Sequence, residues 1–389
     1  MKLKIQRVRI IGSLLALSIG ILSYASIPLF KAYPSLSLED KIAYIPLGAF
    51  PTPVHRCEKL SHEFTCALYC KRDDLSGPLQ EDGSRLAGGN KVRKLEFLLA
   101  DAKKKGAQDV LTFGCAGSNH ALATTVYSQR LGLKVRCLLS PQQKSWVVQR
   151  NLLLDHYYGA KLSACNSGDE RVRETKKYTL ELSQDTGKEP YIIPVGGSVP
   201  LGTLGFINGV FELQEQIRTG QMPQPDYIYL PAGSYGTVAG LLIGLQLCKL
   251  PIQVVAVSVT LKPDDIAVPI KSLFDQTKDF LMQYDQSFSS LCFDEKQLSI
   301  RNTFCGEGYG RPTKGSTEAV KLFERDEGIT LEDTYTAKAA DALVHDVQRG
   351  LLGNKTVLFW LTFYGDTCKN ICENISYKEL PSEFHAYFS

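Results

Sequence analysis

The chain has no CxxC pair, no Cys/His cluster at zinc spacing and no basic stripe with interleaved aromatic residues. The first two absences leave no structural or catalytic zinc pattern. The third, with a formal net charge of only +3 over 389 residues, removes nucleic acid as a partner. The Gly-Lys-Ser/Thr ending of an ATP-binding loop and the GxGxxG spacing of a dinucleotide fingerprint are missing too. There is no internal repeat and no low-complexity linker, so the domains are interleaved rather than strung in series. What remains is a folded globular chain, 44% hydrophobic and 22% charged, long enough for about two domains. Its 11 cysteines are an odd number without clear spacing, Cys66/Cys70 and Cys368/Cys372 each standing four apart. Scattered buried thiols are the simplest reading, although an exported protein could pair some of them.

The N-terminus differs from the rest. Lys2, Lys4, Arg7 and Arg9 precede an uncharged stretch over residues 10–30, with small residues at Ser23 and Ala25. This pattern predicts a secretory signal cut near Ser26, or a membrane tether formed by residues 10–30. Either would put the folded part outside the cytoplasm. A buried N-terminal helix in a cytoplasmic protein is the alternative, but a core helix would show a polar face.

From residue 110 onward, short apolar segments alternate with helical ones. Residues 110–113, 134–139, 191–194, 227–230, 253–259 and 356–362 read as strands. Residues 120–131, 205–219, 316–327 and 338–350 read as helices. Val-, Ile- and Leu-rich strands alternating with helices predict an α/β fold whose parallel sheets are covered on both faces.

Three segments carry chemistry. In Gly88-Gly89-Asn90-Lys91-Val92-Arg93-Lys94-Leu95-Glu96, a glycine pair and an Asn cap lead into a helix with Lys91 in its first turn. Val92, Leu95 and Leu99 share a face, so the core sets the register of Lys91. Nearby Arg93 and Lys94 would ease proton loss from Lys91, which an amine needs to attack a carbonyl. The plainer reading is a solvated basic helix. The second segment, Gly114-Cys115-Ala116-Gly117-Ser118-Asn119-His120, joins a strand to a helix. Its backbone N–H groups, hydroxyl, amide and ring could hold a carboxylate, or Ser118 and Asn119 could simply cap the helix. No base is placed to make Cys115 a nucleophile. The third, Pro231-Ala232-Gly233-Ser234-Tyr235-Gly236-Thr237, is a small-residue turn entering an apolar helix, suited to a phosphate. An anion site, a carboxylate site and an amine together suit pyridoxal phosphate and an amino acid.

Over about residues 46–367 the chain resembles the D-cysteine desulfhydrase/1-aminocyclopropane-1-carboxylate deaminase family of fold-type-II pyridoxal-phosphate enzymes. The resemblance rests on the three segments above and on Phe50-Pro51-Thr52-Pro53-Val54, Lys71-Arg72-Asp73-Asp74-Leu75-Ser76, Gly196-Gly197-Ser198, Gly308-Tyr309-Gly310 and Tyr335-Thr336-Ala337-Lys338. It implies two interleaved parallel-sheet α/β domains of the tryptophan synthase β-like architecture, with the cofactor in the cleft between them. Residues 35–92 plus 205–389 would form the large domain and 93–204 the small inserted one. Lys91 would hold the cofactor and shuttle the substrate α-proton. Ser118, Asn119 and His120 would grip the substrate carboxylate, with Asn119 also near the cofactor O3′. Gly233, Ser234, Tyr235, Gly236 and Thr237 would cradle the phosphate with Lys94 nearby. Tyr309 and Tyr335 would line the substrate side of the ring, and Thr362 would face the pyridine nitrogen.

Thr336 stands where the family's deaminases carry glutamate, and Thr362 where they are apolar. Both departures favour D-cysteine desulfhydrase, a lyase giving pyruvate, ammonia and hydrogen sulfide. Phe363 and Tyr364 replace glycines and predict bulk against the ring. The alternatives are a cyclopropane-opening deaminase and a cofactor-binding protein with little turnover. A small amino acid is the expected partner, and a homodimer the expected assembly.

Overall fold

The computed structural model of the chain describes residues 27–260 and 266–389. Its backbone is organised on two sheets. The larger runs in the order β1 (Val54–Arg56), β2 (Ala67–Arg72), β10 (Thr356–Leu361), β7 (Tyr227–Ala232), β8 (Gln253–Ser258) and β9 (Leu298–Arg301), with every pair parallel except β1–β2. The smaller is fully parallel, in the order β5 (Lys161–Ala164), β4 (Lys134–Ser140), β3 (Asp109–Cys115) and β6 (Tyr191–Ile193).

The central strands are apolar almost throughout because both faces of the sheet are covered. Side chains alternate along a strand. Ile228, Leu230, Val254, Ala256, Leu358 and Trp360 therefore enter one hydrophobic cluster, while Tyr229, Val255, Val257, Val357 and Phe359 enter another. Under the first face lies the helix Pro200–Arg218, which starts at Pro200 rather than at 205. Proline in the first helical turn gives up no hydrogen bond, so the helix begins there.

The N-terminal expectation needs correcting at its end. Ile27, Leu29 and Phe30 belong to the large hydrophobic cluster, and Asn208 Oδ1 accepts a hydrogen bond from Leu29 N at 3.0 Å. Residues 27–30 therefore belong to the folded core rather than to a tether. Residues 1–26, which carry the rest of the expected signal or tether, lie outside the described residues. No helix among the described residues is long and apolar enough to cross a membrane.

All 11 cysteines are free thiols, most of them buried; Cys57 and Cys70 share a hydrogen bond, with their sulfurs 3.2 Å apart.

Candidate active site

The carboxyl ends of both sheets point into one cavity of about 270 Å³. Gly114 and Cys115 of β3, Ser140 of β4, Ala232 of β7 and Thr362 just after β10 all line it. This is where open α/β sheets bind ligands.

Lys91 opens into that cavity from the end of a 3-10 turn, Gly89–Lys91, which runs directly into the helix Val92–Lys104. Val92, Leu95 and Leu99 are fully buried, which fixes the register of the lysine. The turn depends on Gly89. Its φ is +73°, and a Cβ there would stand 2.7 Å from the Thr362 carbonyl oxygen. Asn90 does not cap the helix with its side chain; its backbone N–H donates to Thr362 O at 3.1 Å and ties the turn to β10.

The solvated-helix reading fails, since Arg93 and Lys94 are only 2% and 0% exposed. Arg93 points away from the cavity. Its guanidinium donates to Asp73 at 2.7 Å and to Glu212 at 2.9 Å, while Lys71 also bonds Glu212. The Lys91 amine is held down to about 8 by burial, against the opposing attraction of Glu332. Desolvation, rather than crowding by cations, is what frees it of its proton.

A stability test follows from that shift. Because the folded pKa lies below the unfolded one, the stabilisation is complete above about 10.5 and lost as pH falls through 8. The cofactor-free chain should gain roughly 3 kcal/mol between those values that Lys91→Met does not gain, measured by denaturant unfolding. Equal gains in both proteins would contradict the assignment.

The small-residue turn after β7 forms the opposite wall. Gly233, Ser234, Tyr235 and Thr237 line the cavity, and Tyr235 is held in the left-handed region at φ 66° where the helix Gly236–Leu247 begins. Strain of this kind in a non-glycine residue persists only where the surroundings enforce it. Gly236 and Lys94 sit just behind this wall. Lys94 Nζ donates to Gly196 O and Ser198 Oγ, both at 2.9 Å, and Gly236 N donates to Ser198 Oγ at 3.2 Å. A Cβ on Gly236 would stand 2.7 Å from both Lys94 Nζ and Ser198 Oγ, so a larger residue would displace the brace. Lys94 thus braces the turn from behind. Its amine is pushed well below the usual range by burial and then by the charge of Lys91. Ser198 links the two, donating to Ser234 Oγ at 2.8 Å.

Ser118, Asn119 and His120 line the cavity together. Ser118 also caps its helix, accepting from Ala121 N at 3.1 Å, which leaves its O–H free to donate into the cavity. Asn151 donates to Asn119 Oδ1 at 3.1 Å, which leaves the Asn119 NH₂ to face a ligand. His120 is 2% exposed, and beyond the Pro194 backbone its ring nitrogens have no hydrogen-bond partner. Burial and the charges of Lys91 and Lys94 keep it neutral. Buried polar atoms without side-chain partners are rare, and His120 is part of the cavity lining.

Tyr309 and Tyr335 close the remaining side, their hydroxyls 2.7 Å apart. Burial raises the pKa of both, so both keep their protons. Lys338 Nζ donates to Cys305 O and Gly308 O at 2.7 Å, pinning the loop that carries Tyr309.

Two expectations are corrected here. Thr336 does not line the cavity; its hydroxyl accepts from Glu332 N at 3.0 Å and serves the helix start. Glu332 accepts from the backbone N–H groups of Thr334, Tyr335 and Thr336, and burial lifts its carboxyl to about 7. Phe363 and Tyr364 put no bulk in the cavity. Phe363 packs on Trp146 with ring centres 5.9 Å apart, and the Tyr364 hydroxyl donates to Arg85 O at 2.7 Å. Arg150 donates to the Tyr364 and Asp366 carbonyls, drawing this segment toward the small sheet's helices.

A family model described as "Pyridoxal-phosphate dependent enzyme" matches residues 45–362. The chain belongs to this family. It is 34% identical, over 81% of its length and 94% of the relative's, to a Thermotoga maritima protein provisionally named 1-aminocyclopropane-1-carboxylate deaminase. It is 30% identical, over 80% of its length and 91% of the relative's, to a D-cysteine desulfhydrase of Serratia proteamaculans. A solved structure described as an ACC deaminase homologue is 31% identical, covers 87% of this chain and 96% of its own, and matches with a TM-score of 0.73. The architecture is therefore the fold-type-II one, and the enzyme depends on pyridoxal phosphate.

The cavity fits that cofactor. It offers a part-neutral buried amine, a strained turn of small residues braced by a buried lysine, and a histidine whose ring nitrogens have no side-chain partner. Sequence reasoning missed Ser198, Glu332, Ser140 and Arg171. The first stood in a recognised motif and the second just before one. Ser140 could have been found as the last residue of an apolar strand. Arg171 lies on the strongly polar helix Gly168–Thr186, which reads as solvated.

Proposed function

We propose that this enzyme removes the α-proton and the β-substituent of a small D-amino acid, with D-cysteine yielding pyruvate, ammonia and hydrogen sulfide. The observation that carries this reading is that no carboxylate lines the cavity among the described residues, while Thr362 does. Bound pyridoxal phosphate supplies an electron sink for the substrate α-carbon. A hydroxyl beside its pyridine nitrogen does not force that nitrogen to stay protonated, so the sink is gentle. Thiolate is a good leaving group and asks little of it.

Lys91 would hold the cofactor and take the α-proton, for which a pKa of about 8 suits it. The turn Gly233–Thr237 would receive the phosphate on backbone N–H groups, with Lys94 and Ser198 keeping its shape. The Ser118 hydroxyl and the Asn119 amide would grip the substrate carboxylate beside His120, presenting one enantiomer's α-proton to Lys91.

The name of the Thermotoga maritima relative favours a second reading, cyclopropane ring opening to 2-oxobutyrate and ammonia. Ring opening needs a stronger sink and a base against a different carbon. D-cysteine should accordingly react with a kcat/KM at least about tenfold, or ~1.4 kcal/mol of barrier, above that of 1-aminocyclopropane-1-carboxylate. Purified enzyme assayed separately for sulfide, pyruvate and 2-oxobutyrate decides between them. Faster 2-oxobutyrate formation would overturn the elimination reading.

A further inference from the structure

One cation in the cavity has no task in the chemistry above. Arg171 lines the same cavity as Lys91, from the helix Gly168–Thr186. Its guanidinium carbon lies 5.9 Å from the centre of the Phe113 ring on β3. Among the described residues its side chain makes no hydrogen bond and no ion pair. Lys94, by contrast, is satisfied by Gly196 and Ser198.

Arg171 shares the cavity lining with Cys115, Tyr309 and Tyr335. The positive charge of Arg171 acts on the Cys115 thiol, opposing the rise that burial imposes. Cys115 in turn is close enough to influence the hydroxyls of Tyr309 and Tyr335. In the reading above the α-carboxylate and the phosphate have donors elsewhere, and among the described residues no acidic side chain of the lining answers this guanidinium. A guanidinium that faces a cavity is matched by a planar or tripodal oxyanion, which it binds through paired charge-assisted hydrogen bonds.

We propose that Arg171 is a specificity-determining residue that pairs with a negative charge on the substrate side chain, so that the site selects α-amino acids bearing a second anion at the β-carbon. This rests on the reading of the cavity as an amino-acid site and narrows its substrate class. Carboxylate, sulfinate, sulfonate and thiolate β-substituents fit; alkyl, hydroxyl and amide ones leave the guanidinium unanswered. When a thiolate or sulfonate departs from Cβ with the bonding electron pair, as sulfide or sulfite, the proton lost from Cα passes to Lys91; a carboxylate or sulfinate is bound there without leaving in this way.

Aspartate and asparagine test the idea, because they have nearly the same shape and differ in charge. Each enantiomer is titrated into the holoenzyme, and binding is read from the cofactor's visible absorbance, which needs no turnover. Aspartate of the preferred enantiomer should bind at least tenfold more tightly than asparagine. The preference should fall below threefold in Arg171→Met and be largely kept in Arg171→Lys, with the cofactor content of both variants unchanged. Equal binding of the two ligands by the parent enzyme would overturn the proposal. So would a preference that survives in Arg171→Met, or loss of cofactor from that variant, which would place Arg171 on the phosphate. If the preference holds while D-cysteine gives no sulfide, the elimination reading fails and the Arg171 assignment stands.

Discussion

Replacing Lys91 with alanine should lower kcat/KM by at least about 10³-fold on any substrate the enzyme accepts. The side chain is asked to do two things, holding the cofactor and moving the α-proton. Neither can be taken over by its neighbours. Lys94 Nζ is fixed on Gly196 O and Ser198 Oγ behind the turn, and Lys338 Nζ on Cys305 O and Gly308 O. Both would have to abandon buried hydrogen bonds to reach the cavity, leaving carbonyls unpaired. The variant should fold, since Lys91 makes no ion pair among the described residues and the helix register is set by Val92, Leu95 and Leu99. Retention of a tenth or more of the parent activity would show that another base does the work.

Arg93→Met should destabilise the fold by about 3–5 kcal/mol, the usual result of removing one partner from a buried ion pair. Arg93 joins Asp73, next to β2, with Glu212 on the helix Pro200–Arg218, and its guanidinium stacks 4.4 Å from the Phe50 ring centre. Without it, Asp73 and Glu212 keep only Lys71, Thr52 and the Trp360 indole N–H as partners. The Arg93 and Lys71 charges hold the Glu212 carboxyl down to about 2 despite its burial. Its folded pKa lies below the unfolded 4.5, so its stabilisation is complete above that value and lost as pH falls toward 2. The variant should show a weaker loss over this acid range than the parent. Denaturant unfolding at several pH values measures both effects. A change below about 1 kcal/mol would mean that the network contributes little.

The reading of the sequence succeeded where local pattern and tertiary structure agree. β7, β8 and β10 are apolar because both faces are buried, and that is visible in single residues. β5 and β9 are short and largely polar, and only their pairing with β4 and β8 makes them strands. The Lys91 segment was legible as a helix start. The source of its reactivity was not, because three cations in four residues look alike until packing sends Arg93 to Asp73 and leaves Lys91 buried at the cavity. Thr336 shows the converse problem. Its position in a motif suggested a hydroxyl against the cofactor, but Glu332 four residues earlier claims that hydroxyl for the helix start. Arg171 had no local signature at all, since its place in the cavity comes from packing far along the chain.

The central claim is that Lys91, among all the lysines, carries the cofactor. Borohydride reduction of the holoenzyme followed by proteolysis and peptide mapping tests it directly. The account predicts the pyridoxyl group on the peptide containing Lys91; a pyridoxyl group on Lys94, Lys338 or any other lysine would contradict it.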